Sequence, residues 1–548
     1  MREPAEGDRE SLVTAHPLTH FDKNRPELAR TVVERAMTRF EAPHGPGFRE
    51  ILLETIASEM GRLESLDGHR HERARLKDWH DLGVRLNRLD AAQIRHQVVD
   101  LSLQYVEDIA GRFDPRIYRL ATRTLPWLIN RILSPQSVPR AVRSTIVEEA
   151  ALSTRFTVEG PLEKLVGLSE RGPMLFVPTH SSNLDSGVLG WSLHMAGLPP
   201  VTYGAGKNLF TNPYVGFLLR HLGAYRVDRR IKHSMYKEIL KEYSTTLIRK
   251  GYHSLFFPGG TRIRSGAIES RLKLGLLGTA VEAYGAGVEG ITVVPVTLNY
   301  AITLEAETLI ADELADAEDR REIIEDDESS RIRPLLGFMR QILSMDGSLV
   351  IRYGEPMDPL GNRLDDQGHP VDPRGRRVDA GGYFDTFDPR IFAERCREAT
   401  RMLGESLVAS YRRNSIFLPT HLLARVVYDR VFGPAGSSSS GGRPPPGLRR
   451  SMGHTVELVQ IRNDLTRWLS LLETRGSWGE VGGTHLGSNV EEVMAQALRS
   501  FRAFHSVPAI ERKAGQIVVR HPGLMYYYRN RLAHLRGPDA GSEEGFRG

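Results

Sequence analysis

A chain of 548 residues is too long for one ordinary hydrophobic core and predicts two to four domains. Its 40% hydrophobic and 26% charged residues are those of a folded globular protein, which argues against a disordered chain and an integral membrane protein. The net charge of +5 is mild for this length and does not point to nucleic acid; the basic residues matter by where they cluster, in ARTVVERAMTR, LLRHLGAYRVDRRIKH and GGTRIRSGAIESRLK.

The opening MREPAEGDRESLVTAHPLTHF lacks the charged start, apolar middle and small-residue cleavage site of a secretory signal. No apolar run reaches the 18 residues that a transmembrane helix needs. The single cysteine, Cys396, has no partner for an internal disulfide and suits a reducing, cytosol-facing compartment.

From about 25 to 135, apolar residues recur three and four apart, as in FREILLETIASEMGRL, and predict a helical N-terminal domain over 1–150. Within it, residues 117–133 mix Arg119, Arg123 and Arg131 with Leu120, Leu125, Trp127, Leu128 and Ile132. That composition suits either a membrane surface or a core-packed helix pair kinked at Pro126. From 160 to 300 the texture changes to short apolar strands, PMLFVP, GAYRV, HSLFFP and ITVVPVTL, alternating with helical stretches. This alternation predicts an α/β domain over 151–432 with helices covering a sheet. A helical and acidic excursion (305–346) precedes a further strand, SLVIRYGEP, and 361–385 reads as a polar surface insertion. The stretch GPAGSSSSGGRPPPG predicts a linker over 433–448, followed by a helical C-terminal region over 449–548.

Three blocks carry candidate chemistry. The first is PTHSSNLD, in which His180 and Asp185 follow the strand PMLFVP, and strand ends in α/β sheets are where ligands bind. With 19 histidines, a His and Asp at this spacing arise about once by chance, so position is what distinguishes the pair. On a regular helix the two side chains would point about 140° apart. A turn through Ser181, Ser182 and Asn183, entering a helix near Leu184, would instead let Asp185 fix one nitrogen of His180 and leave the other as a general base. A buried pair capping a helix is the plainer alternative.

The second block, YGAGKNLFTNPYVGFLLRHLGAYRVDRR, has no Walker spacing but carries Lys207, Arg220, Arg226, Arg229 and Arg230, either a solvated face or a set that reaches an anion. The third, FFPGGTRIRSG, runs a strand into Gly259 and Gly260 and then Arg262 and Arg264; glycines let backbone N–H groups approach a phosphate, and arginine offers a matching fork. Two other patterns are set aside. GAGVEG (285–290) has the wrong flanking elements for a dinucleotide loop, and His69, His71 and His80 lie in a charged stretch without a further ligand, so no metal is expected.

Read in order with VVPVTLNY, these blocks resemble the glycerolipid acyltransferase superfamily: His-x4-Asp, a basic second block, a glycine-arginine third block and a Val-Pro-Val strand. Within it, YGAGKNL…RHLGAYRVDRR and the FFPGGTRIRSG region look most like the large bacterial membrane-type glycerol-3-phosphate acyltransferases. GSLVIRYGEPMDP and the C-terminal LMYYYRNRLAHL are similar to further segments of that family. The resemblance implies a mixed sheet covered by helices. It implies His180 as the base that deprotonates an acceptor hydroxyl, with Asp185 orienting it. It assigns Arg229 and Arg262 to the acceptor phosphate, to which the cations and glycines of the second and third blocks add Lys207, Arg264 and Gly260 as candidates, and it gives Pro295 a shape role near the acyl donor. The implied reaction moves a fatty acyl group from acyl-CoA or acyl-carrier protein to the sn-1 hydroxyl of glycerol-3-phosphate, in phospholipid synthesis, with no cofactor. Dihydroxyacetone phosphate or lysophosphatidic acid as acceptor, and a non-catalytic lipid-binding scaffold, are the alternatives. The implied location is peripheral, on the cytoplasmic face of the membrane. The chain departs from the family pattern at Gly259, where most relatives have glutamate, at Ser181, where the near ones have arginine, and at Asp228, where they have the first of two arginines.

Overall fold

The structure, a computed structural model, describes residues 16–42, 45–65, 70–123, 156–317, 349–433, 448 and 452–538, apart from 478, 480, 483–485, 487–488 and 504. The candidate surface helix 117–133 beyond residue 123, the acidic excursion beyond 317 and the linker between 434 and 447 lie outside these residues.

Four helices open the chain: α1 (Phe21–Glu41), α2 (Phe48–Glu64), α3 (Arg70–Leu86) and α4 (Ala91–Ile109). Asp90 starts α4 with a capping box, its side chain accepting from the Gln93 amide while Gln93 reaches back to the Asp90 amide. The α/β region then runs β1 (Phe156–Glu159), α5 (Leu162–Ser169), β2 (Met174–Pro178), α6 (Asp185–Met195), β3 (Thr202–Gly206), α7 (Pro213–His221), β4 (Ala224–Val227), α8 (Ser234–Arg249), β5 (Ser254–Leu255), α9 (Leu274–Gly285), β6 (Thr292–Tyr300), α10 (Ala306–Ala317) and β7 (Leu349–Tyr353).

These seven strands form one sheet in the order β1-β7-β6-β2-β5-β3-β4. The five from β6 to β4 are parallel to one another; β7 runs antiparallel to β6 and carries β1 parallel to itself, so the sheet is mixed. All nine residues of β6 and all five of β2 are buried, as expected of apolar runs covered on both faces. The strands expected at PMLFVP, GAYRV, HSLFFP, ITVVPVTL and SLVIRYGEP are β2, β4, β5, β6 and β7. Two strands carry no apolar run to announce them: β1 is four residues long, and β3 is TYGAG, whose glycines and alanine leave no alternation to read.

The polar stretch 361–385 is a chain of tight turns around a two-stranded hairpin, β8 (Arg363–Leu364) and β9 (Pro370–Val371), with Asp365 and Asp372 each accepting from amides further along their own turns. Then follow α11 (Pro389–Asn414), α12 (Pro419–Phe432), β10 (Thr455–Glu457), α13 (Leu458–Ser477), α14 (Val490–Ala503), β11 (Ile510–Lys513), β12 (Gln516–Val519) and α15 (Pro522–Arg529). The C-terminal region is helical with an additional antiparallel sheet, β10-β12-β11.

The apolar clusters cross between these regions. Helices α1 to α4 share a core with Tyr225, Met235, Tyr236, Ile239 and Tyr243, so α8 is sandwiched between the N-terminal helices and the sheet. Another core joins α10 and α12 to the C-terminal residues Ile461, Leu465, Phe501 and Tyr526–Tyr528, spanning both sides of the 434–447 stretch.

Candidate active site

β2 delivers the first block. Its end is pinned to β6, where the Thr179 amide donates to the Val296 carbonyl at 3.0 Å and Thr179 Oγ1 accepts from the Leu298 amide at 3.1 Å. The chain leaves the sheet at His180, turns through Ser181–Leu184 and enters α6 at Asp185. His180 Nδ1 then lies 2.9 Å from Asp185 Oδ2. The same oxygen accepts from the amides of Ser181 (2.6 Å) and Ser182 (2.9 Å), and Oδ1 accepts from the Tyr300 hydroxyl at 2.7 Å. Asp185 is fully buried. A carboxylate that only accepts makes Nδ1 the protonated nitrogen, which leaves a lone pair on Nε2. The ring stacks on Phe257 at 4.2 Å between centroids and keeps 14% of its side chain exposed.

Two further carboxyl groups brace this turn. Glu305, just before α10, accepts from Ser182 Oγ and the Asn183 amide, both at 2.9 Å, and meets Arg262 at 3.2 Å. Burial pushes its carboxyl up, against the pull of Arg262. Glu269 accepts from the His180 amide at 2.9 Å, and burial lifts it from 4.5 to about 8. The glycine-arginine loop closes the site from the other side: the Ile263 amide donates to the His180 carbonyl at 2.9 Å, and Gly260 adopts φ +74° under the Lys273 side chain.

The candidate phosphate ligands do not all converge. Arg229 and Arg262 are close enough that partial loss of water and the Arg262 charge together push the Arg229 guanidinium down. Arg229 is exposed and faces Arg262, whose guanidinium is paired with Glu305, so the two cations leave room for an anion between them. Lys207, by contrast, is engaged: its Nζ lies 2.7 Å from Asp228, whose burial is outweighed by that contact so that it stays below the usual carboxylate range. Asp228, the departure noted in the second block, therefore draws Lys207 toward itself. Arg264 is exposed on the third-block loop.

Residues 155–299 match the acyltransferase family model. That stretch is an acyltransferase domain. A glycerol-3-phosphate acyltransferase of Aeromonas hydrophila is 28% identical over 256 residues, 46% of this chain and 28% of that protein. One of Shewanella oneidensis is 28% identical over 215 residues (39% and 24%), and one of Pseudomonas entomophila 26% over 325 residues (59% and 34%). The chain thus spans between about a quarter and a third of the length of these relatives. The solved 1-acyl-sn-glycerophosphate acyltransferase of Thermotoga maritima covers 54% of the chain and 94% of its own, at 15% identity and a TM-score of 0.24.

The acyltransferase domain holds Pro295 inside its sheet, buried on β6 opposite Val177, where its carbonyl accepts from the Gly354 amide at 2.8 Å. A proline in a central strand gives up a ladder bond. The domain's floor comes from far along the chain. In the LMYYYRNRLAHL segment, the Tyr528 hydroxyl accepts from the Thr303 amide, Asn530 Nδ2 donates to the Ser265 carbonyl at 2.8 Å, and Arg531 donates to the Leu298 carbonyl. Arg531, Tyr300, Tyr527 and Ser181 line a small recess of about 20 Å³ beneath the His180 turn.

Sequence reasoning missed Tyr300, Glu269, Glu305 and Arg531. Tyr300 ends the quoted VVPVTLNY block, and two-residue alternation from Val296 through Leu298 places it on one face with them. Glu269 is the lone acid in the basic run TRIRSGAIESRLK and is followed and preceded by little that marks it as buried. Glu305 carries no local signal, and Arg531 lies in the quoted LMYYYRNRLAHL segment with nothing local to mark its role.

Proposed function

We propose that this chain is an O-acyltransferase that moves a fatty acyl group from acyl-CoA or acyl-carrier protein to the sn-1 hydroxyl of glycerol-3-phosphate. The observation that carries the reading is the His180–Asp185 pair, oriented by the buried Tyr300 hydroxyl, with Arg262 held against the same turn by Glu305. Nε2 takes the proton of the acceptor hydroxyl, and the alkoxide attacks the thioester carbonyl. The tetrahedral intermediate expels the thiolate, which recovers the proton from His180. Arg229 and Arg262 hold the acceptor phosphate, and Glu305 keeps Arg262 aimed at the His180 turn. The names of the relatives favour glycerol-3-phosphate over other acceptors.

Contact with a membrane surface is part of the same proposal. On α7, Tyr214, Phe217 and Leu218 are exposed at 80%, 56% and 43%, on one helical face. Arg112 and Arg220 lie beside Phe217 around an open groove, and Leu120 is 62% exposed next to Arg119. Aromatic side chains among arginines suit an anionic lipid interface. Among the described residues no helix is long and apolar enough to cross a membrane.

The test supplies labelled palmitoyl-CoA or palmitoyl-carrier protein with glycerol-3-phosphate, dihydroxyacetone phosphate or lysophosphatidic acid. Acylated glycerol-3-phosphate, abolished by His180→Ala, is expected. Acylation of lysophosphatidic acid alone refutes the acceptor assignment, and no turnover with any pair supports a binding scaffold instead.

A further inference from the structure

Position 259 is where the resemblance expects a glutamate and the chain has glycine. A Cβ built on Gly259 would stand 2.6 Å from Glu269 Oε1 and 3.0 Å from its Cδ. The space a side chain at 259 would enter is therefore already occupied by a carboxyl group. That carboxyl is 7% exposed, and its Oε1 receives the His180 amide. Its Oε2 makes no hydrogen bond among the described residues. The neighbouring backbone locks the same arrangement: the Lys273 amide donates to the Pro258 carbonyl at 2.7 Å, which holds the segment carrying Glu269 against the glycine loop.

We propose that Glu269 is a positioning residue for His180, its carboxyl group taking the space that a side chain at position 259 would fill, so that the two positions share one carboxyl between them. Glycine at 259 is then the condition for Glu269 to reach the His180 amide, and the missing glutamate is a displacement of the acid along the chain. The groups facing Glu269 are consistent with this role. Arg531 and Asp185 lie within electrostatic reach, and Tyr411 senses its charge from α11. Glu269 does not touch the reacting atoms; it acts through the backbone of His180.

The proposal rests on the acyltransferase reading for its turnover assay, and wild-type activity is the control that separates the two. If the wild type is inactive, the acyltransferase reading fails, and melting of the variants still decides the pairing. Four variants are compared: Glu269→Ala, Glu269→Gln, Gly259→Glu and the double variant Gly259→Glu/Glu269→Ala. Glu269→Ala and Gly259→Glu should each lower kcat at least tenfold with KM for both substrates within about twofold, the first by loss of the acceptor and the second by collision with it. The double variant should recover at least tenfold in kcat over either single variant, and its melting temperature should exceed that of Gly259→Glu. Glu269→Gln keeps both the shape and an acceptor oxygen and should retain at least a third of kcat. A double variant no better than the worse single one, in kcat and in melting, overturns the proposal, as does a Glu269→Gln variant as impaired as Glu269→Ala.

Discussion

Glu269 also makes a thermodynamic prediction that needs no substrate. Its carboxyl is lifted by burial from 4.5 to about 8, against the His180 amide and the Arg531 charge, both of which pull it down. In the unfolded chain it releases its proton near 4.5, while in the folded chain it keeps the proton until about 8. Between these values the unfolded state binds fewer protons, so stability falls as pH rises, and above about 8 the loss is complete. At about 1.4 kcal/mol per pH unit, the full gap amounts to an upper bound of roughly 5 kcal/mol, of which local relaxation recovers part. Glu269→Gln removes the ionisation while keeping the acceptor for the His180 amide. Thermal melts of wild type and variant, followed by circular dichroism from pH 5 to 9, should show the wild type losing a few degrees relative to the variant, with the gap opening between pH 5 and 8.5. A constant offset across that range would show that the buried carboxyl does not carry its proton as its surroundings require, and would refute the argument.

The other predictions concern the site and its surface. Tyr300→Phe removes a buried donor to Asp185 Oδ1, so kcat should fall about tenfold to a hundredfold, with KM for the acceptor little changed; a smaller loss than twofold contradicts an orienting role. Arg262→Met should raise KM for glycerol-3-phosphate at least tenfold and leave that for the acyl donor near wild type, as steady-state kinetics with each substrate varied would show. Lys207→Met leaves buried Asp228 without its cation and should lower stability by about 1–3 kcal/mol rather than raise KM, which separates it from the arginines. Phe217→Asp/Leu218→Asp should abolish co-sedimentation with vesicles containing phosphatidylglycerol; wild-type binding that is equal on zwitterionic vesicles, or unchanged by the variant, would exclude α7 as the contact.

What the sequence made legible follows from how local the signal is. β2 and β6 announce themselves because strands covered on both faces must be apolar throughout, and the His180–Asp185 turn lies directly beyond one of them. β3 stays hidden because TYGAG packs backbone rather than side chains: a Cβ on Gly204 would lie 3.1 Å from the Tyr225 ring on β4. Lys207 was grouped with the arginines because sequence shows charge without partner, and Asp228 lies too far along the chain for the pairing to be visible. The small sheet of β10, β11 and β12 was likewise unannounced, since strands of three or four residues carry too few alternations to be distinguished from loops.

The same reasoning explains why the acidic side of the site was the least legible part. Asp185 reaches His180 across five residues, whereas Glu269 arrives from beyond the glycine loop and Glu305 from beyond β6. The cation beneath them, Arg531, comes from a segment after the last strand of the C-terminal sheet. Each of these groups is costly to bury alone; Asp185 and Glu305 are met by amide, hydroxyl and guanidinium donors, and Glu269 is lifted toward its neutral form and receives the His180 amide. A feature assembled from partners across the whole chain has no local pattern. Gly259 leaves the approach of Glu269 open, since a Cβ there would stand 2.6 Å from Glu269 Oε1.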